Sequence, residues 1–97
     1  MLTSKERSNL RSLATVIDPI TQVGKQGINE SLIESLDQAI EKRELIKITV
    51  LENSGLIPKE AGFLIAEKLG AEFVAATGRK LVFYRRSKNS KVEHIIF

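Results

Sequence analysis

Ninety-seven residues, 42% of them hydrophobic, suffice for one domain with its own core and leave no room for a second of ordinary size. The chain has no cysteine, which excludes disulfides, thiolate metal sites and cysteine nucleophiles and suits a reducing compartment, so the cytoplasm is the expected location. The net charge of +3 is uneven: residues 1–28 carry four basic and two acidic side chains, residues 29–72 five and nine, and residues 73–97 six and one.

The opening MLTSKERSNL places charges where a secretory signal needs its apolar core, and no apolar run approaches the roughly 18 residues of a membrane span. Thr3 is a helix cap with Glu6 as the reciprocal partner of a capping box. Leu10, Leu13, Ala14 and Ile17 then recur at three and four residues, the apolar stripe of a first helix. Asp18-Pro19 stops it, because the residue before proline is pushed out of the helical region. Ile20 to Val23 predicts a short strand. After the glycine pair of GKQG, Asn29 caps a second helix whose buried stripe is Leu32, Ile33, Leu36, Ala39 and Ile40. Its outer face collects Glu30, Glu34, Asp37 and Glu41.

Glu44 to Glu52 alternates as a strand, with Ile46, Ile48 and Val50 on one side and Leu45, Lys47, Thr49 and Leu51 on the other. Asn53-Ser54-Gly55 is a loop, and Pro58 opens a third helix with Ala61, Leu64, Ile65 and Leu69 inward, ended by Gly70. Glu72 to Thr77 and Leu81 to Arg86 predict a hairpin with a basic tip at Gly78-Arg79-Lys80. RRSKNSKVE reads as a mobile extension, and the final HIIF is apolar enough to dock. The order helix, strand, helix, strand, helix, strand, strand predicts a two-layer α/β domain with a mixed four-stranded sheet.

The chain offers few groups for catalysis. His94 is the single histidine and has no evident partner in the sequence, and the acidic residues of the second helix read as a solvated face. GKQGIN is too short for a P-loop and lacks its following lysine. What remains is a glycine pair around Lys25 and Gln26, directly before a helix. Read alone, it is a turn. In a nucleic-acid context, paired glycines let a phosphate backbone approach the main chain, and the helix N-terminus favours the anion. The two basic ends make one positive surface for a polyanion if they meet in space, and otherwise a solvated surface. Tyr84 reads as core or as a base-stacking ring, and Phe63, Phe73 and Phe83 as core.

LTSKERSNLRSLA, PITQVGKQGINESLIESLDQAIEKRELIKITVL and GRKLVFYRR, in this order and spacing, resemble the CRM domain (chloroplast RNA splicing and ribosome maturation) of the stand-alone bacterial YhbY type, over about residues 2–86. The resemblance implies an RNA-binding domain similar to the C-terminal domain of translation initiation factor three, with a GxxG loop like that of KH domains. It also implies association with ribosomal RNA in large-subunit precursors, as for bacterial members, whereas plant members assist intron splicing. The family loop falls on Gly24, Lys25, Gln26 and Gly27, with Asn29 where many relatives have threonine. The basic positions of the first helix fall on Lys5, Arg7 and Arg11, the strand motif on Glu44 to Ile48, and the last segment on Gly78, Arg79, Tyr84 and Arg85. Lys47, Lys80 and Arg86 complete the expected RNA-contacting set.

The expected protein is thus a monomeric binding module without cofactor or membrane association, with RNA and possible ribosomal proteins as partners. Cationic side chains would neutralise phosphates while the loop amides fix the path of the strand. The family pattern assigns HIIF no role. A protein-interaction adaptor using the acidic helix face or the apolar tail is the alternative, and an enzyme would need His94 beside carboxylates.

Overall fold

The computed structural model describes residues 2–97. Its elements are α1 (Ser4–Ala14), β1 (Gln22–Val23), α2 (Glu30–Arg43), β2 (Leu45–Val50), a 3-10 turn (Glu52–Ser54), α3 (Pro58–Leu69), β3 (Glu72–Thr77) and β4 (Lys80–Tyr84). The capping box is present: the Glu6 amide donates to Thr3 Oγ1 at 3.1 Å, and the Thr3 amide donates to Glu6 Oε1 at 2.9 Å. α1 stops short of Pro19 because the Thr15 amide and hydroxyl both donate to the Ser12 carbonyl, closing a tighter last turn. Asn29 caps α2 as expected, its side chain accepting from the Leu32 amide at 2.8 Å.

The sheet has the order β1-β2-β4-β3. β1 runs parallel to β2, and β4 is antiparallel to both β2 and β3, which is the mixed four-stranded arrangement the element order predicts. α2 and α3 cover one face. There Ile46, Ile48 and Val50 of β2 and Leu81 and Phe83 of β4 meet Leu36, Ile40, Ile65 and Leu69. α1 lies on the other face, where Leu10 and Ala14 pack on Leu45, Val74, Val82 and Tyr84. Successive strand residues point to opposite faces, so both sides of β2 and β4 are apolar where a helix covers them.

Three sequence expectations are corrected here. Leu13 and Leu64 leave their predicted stripes and stand 41% and 44% exposed, and Phe63, read as core, is 59% exposed. The inward side of α3 is carried by Ala61, Gly62, Ile65, Ala66 and Leu69, so Phe63 and Leu64 fall on its flanks. The C-terminal extension is not a loose arm. Ser87 is buried, and Ile95 and Phe97 pack against the α1-side core, with the Phe97 ring edge-on to Tyr84 at 5.0 Å.

Candidate functional site

The GKQG segment closes a tight turn in which the Gly27 amide donates to the Gly24 carbonyl at 2.9 Å. Gly27 sits at φ 67°, the left-handed region that favours glycine. Gly24 does not. A Cβ there would meet Leu51 Cδ1 at 3.7 Å and Asn53 Oδ1 at 3.8 Å, ordinary contact distances, so turn sterics account for the second glycine and leave the first unexplained. The loop, Gln22, Asn29, Ser31 and Leu32 line a concavity at the N-terminus of α2. Lys25 is exposed there, and none of the described lining residues is a carboxylate. Unsatisfied helix amides and a lysine make this a favourable place for an anion.

A second concavity lies on the α1 face of the sheet. α1 ends at Ala14, and cationic side chains stand among small and apolar ones where it stops. Arg11 from α1, Lys47 from β2 and Lys80 from β4 line a groove with Ala75, Thr77 and Val82, and none of the described lining residues is a carboxylate. Three elements therefore bring three predicted cations together, one from the basic N-terminal segment and one from the basic C-terminal segment. The register joins this groove to the loop. Gln22 pairs with Thr49, and Thr49 pairs with Lys80, so one rung of the sheet, about 10 Å across two strand spacings, leads from the edge of the loop concavity to the groove. At the same end of the sheet the Leu51 amide donates to the Val23 carbonyl, while Arg79 Nη2 donates to the Leu51 carbonyl at 3.3 Å.

The other predicted cations divide. Lys5 and Arg86 are exposed. Arg7 and Arg79 are half-buried and spend donors on backbone, Arg7 on the carbonyls of Phe73 and Val74. Arg85 is a correction. Its guanidinium donates to Asp37 Oδ1 at 2.7 Å, to Glu41 Oε2 at 3.1 Å and to the Leu69 and Asp37 carbonyls, so it clamps α2 and α3 together and has little left for a phosphate. The same bonds correct the reading of α2's acidic face. Glu30 and Glu34 are exposed, whereas Glu41 also accepts from the Ser87 hydroxyl and the Lys88 and Asn89 amides. These amide and hydroxyl bonds, with Arg85, hold its carboxyl below the ordinary range against a smaller opposing effect of burial.

Glu44 is the anchor that sequence reasoning missed. Fully buried at φ 64°, it accepts from the Ser87 amide at 2.6 Å and the Ile95 amide at 2.8 Å and bonds His94 Nδ1 at 2.6 Å. Burial is the largest single influence and opposes ionisation. The Ser87 amide, His94 and the Ile95 amide together outweigh it, so the carboxyl is held below its ordinary value. Burial is also the main reason the Tyr84 phenol is pushed up, aided by the Glu44 charge. An acid straight after a helix and at the head of an apolar strand was the available signal. Among the described residues, no group of three His, Cys, Asp or Glu side chains could hold a metal, and no helix is long and apolar enough to cross a membrane.

A larger concavity than either, about 730 Å³, lies elsewhere, along α2 and Lys68 of α3. Glu30, Glu34 and Asp37 line it, so its sign is wrong for a polyanion, and charge outranks size here.

A domain of this topology, with a cationic groove and a glycine turn at one end of its sheet, has close counterparts. The model of the CRS1/YhbY (CRM) domain matches residues 2–85, and the chain belongs to that family. It is 37% identical over 91 residues to the probable RNA-binding protein YqeI of Bacillus subtilis, covering 94% of this chain and 95% of that one. An RNA-binding protein of Haemophilus influenzae is 27% identical over 92 residues, covering 95% of this chain and 93% of its own. A probable RNA-binding protein of Methanocaldococcus jannaschii is 35% identical over 88 residues, which are 87% of this chain and 63% of that longer one. The solution structure of a hypothetical protein from Staphylococcus aureus is similar with a TM-score of 0.75 and 42% identity, covering 98% of this chain and 100% of its own.

Proposed function

We propose that this protein binds RNA through one continuous surface made of the GKQG loop and the groove between α1 and the sheet. The observation that carries this reading is the meeting of Arg11, Lys47 and Lys80 in a groove with no carboxylate among its described lining residues, one sheet rung from the loop. Lysine and arginine side chains there neutralise phosphates and release counterions, which supplies affinity with little sequence information. The loop amides and Lys25 then fix the path of the backbone at the start of α2. Lys5 and Arg86 extend the positive surface, Arg7 and Arg79 shape it while bonded to backbone, and Arg85 is left out. The relatives' names support the RNA reading. The protein acts as a monomeric cytoplasmic binding module, and ribosomal RNA in large-subunit precursors is the RNA we propose, on the strength of the resemblance to stand-alone bacterial members.

The adaptor alternative is less favoured, because Ile95 and Phe97 of the apolar tail are packed on the α1-side core and Asp37 and Glu41 are paired with Arg85, which leaves it Glu30 and Glu34 of the acidic face. The test of the RNA reading is the salt dependence of affinity for single-stranded RNA. Alanine at Arg11, Lys47 and Lys80 together should weaken binding to unrelated RNAs alike and flatten the slope of log K against log salt by about 0.7 per lost phosphate contact. An unchanged slope would reject the groove. Crosslinking in cells and sequencing the bound RNA tests the ribosomal assignment separately, and an excess of messenger RNA would reject it.

A further inference from the structure

Phe63 is large, apolar and 59% exposed, yet its ring is held in place, packed edge-to-face with Phe73 at a centroid distance of 5.1 Å. Phe73 in turn stacks on the buried Phe83 at 5.6 Å, so three rings lead from the core to the surface. Phe63 lines a cleft along β3 with Arg7 from α1 and Lys59, one turn earlier on α3. The only carboxylate among its described lining residues, Glu72, is itself engaged in an interaction. The cleft adjoins the cationic groove. Ala75 lines both, and Arg7 and Arg11, four residues apart on α1, line one each.

An aromatic ring beside an uncovered edge strand could also receive a protein strand. Two features disfavour that occupant. Arg7 donates to the carbonyls of Phe73 and Val74, and the β3 register shifts between Phe73 and Ala75. Both blunt the edge as a template for strand addition. A held ring in a cleft that two cations also line, next to the cationic groove, fits a nucleobase instead, since every base has a face to stack and its flanking phosphates can meet the cations.

We infer that Phe63 is a stacking platform for an unpaired base of single-stranded RNA, with Lys59 and Arg7 on the adjoining phosphates; this rests on the reading of the groove as the RNA surface. The chain has no tryptophan, so Phe63→Trp introduces a sole indole at the site. The probes are a short oligoadenylate, an RNA duplex of the same length and an abasic ribose-phosphate chain of the same length. Phe63→Ala and Phe63→Leu should bind oligoadenylate at least about fivefold more weakly while binding the duplex and the abasic chain as the wild type does. Phe63→Trp should keep its affinity, with indole emission quenched by oligoadenylate and unmoved by the abasic chain. Equal losses on all three probes, wild-type affinity of both aliphatic variants, or an unquenched indole would overturn the platform. Lys25→Glu separates the two readings: if it weakens all three probes while the Phe63 variants do nothing, the RNA surface stands and the platform falls. If the wild type binds none of the probes, both fall.

Discussion

Glu44 Oε2 and His94 Nδ1, fifty residues apart in the chain, lie 2.6 Å from each other beneath the C-terminal extension. Glu44 holds this place at a positive φ that costs a β-carbon-bearing residue about 1 kcal/mol or more. The carboxylate offsets that strain by accepting the amides of Ser87 and Ile95. Glutamine would keep the size but turn an amide group toward donors. Glu44→Gln should therefore destabilise the protein by about 1–3 kcal/mol and speed hydrogen exchange at Ser87 and Ile95 before it does so in β2. If exchange at those two amides matches the wild type, Glu44 is not the latch of the tail.

The same latch predicts a direction with pH. Glu41 and Glu44 are both held below the ordinary value of 4.5. A carboxyl whose folded pKa is depressed contributes stability that is fully present above its unfolded value and is lost as pH falls through the folded value. The tail should therefore stay docked from neutral pH down to about 4.5 and detach below it, with the Ser87, Lys88 and Ile95 amide resonances moving together in an NMR titration. A tail that detached near neutral pH would contradict this assignment.

Gly62 explains why a helix carries its poorest ordinary former at an inward position. A Cβ there would stand 2.3 Å from Phe73 Cζ, inside any allowed contact, and Phe73 is held by Phe63 on one side and Phe83 on the other. Overpacking of this kind costs about 1–3 kcal/mol, against a gain of about 1 kcal/mol in helix propensity. Gly62→Ala should lower the melting temperature, and Gly62→Ala with Phe73→Leu should recover part of the loss. Additive losses in the double variant would show that the ring is not the obstacle.

The periodicity of Leu32, Ile33, Leu36, Ala39 and Ile40 and the alternation through Ile46, Ile48 and Val50 carry enough information to order the elements, because each pattern needs one partner surface and the chain supplies it nearby. What the pattern hides is long-range pairing. Arg85 reads as a free cation in a basic segment, since Asp37 and Glu41 lie more than forty residues away in sequence. Glu44 reads as the edge of a strand because its three partners belong to the last eleven residues. Phe63 and Phe73 are both aromatic, and only the geometry of α3 against β3 shows which packs against the core and which stands exposed. Of the expected RNA-contacting set, the convergence of Arg11, Lys47 and Lys80 depends on where α1 ends, and that was set by Thr15 turning back onto Ser12, a bond that helix propensity does not foretell.

The two glycines of GKQG separate turn from clamp more cleanly than Lys25 alone. Gly27 needs its left-handed φ, so Gly27→Ala should cost about 1 kcal/mol of stability whatever the loop does. Gly24→Ala meets only ordinary contacts with Leu51 and Asn53 and should leave the melting temperature within about 1 °C of the wild type, or raise it by restricting the unfolded chain. If the loop serves only to turn the chain, Gly24→Ala should also leave RNA affinity unchanged. If the loop lets a phosphate approach the backbone, the added methyl stands in its path, and affinity should fall severalfold with the fold intact. Lys25→Glu, which places an anion beside the same phosphate, should weaken binding further and steepen its loss with carboxylate charge rather than with side-chain size, so Lys25→Gln should fall between it and the wild type. Measured side by side as RNA affinity and thermal stability near physiological salt, wild-type affinity in Gly24→Ala and Lys25→Glu together would reduce GKQG to a turn.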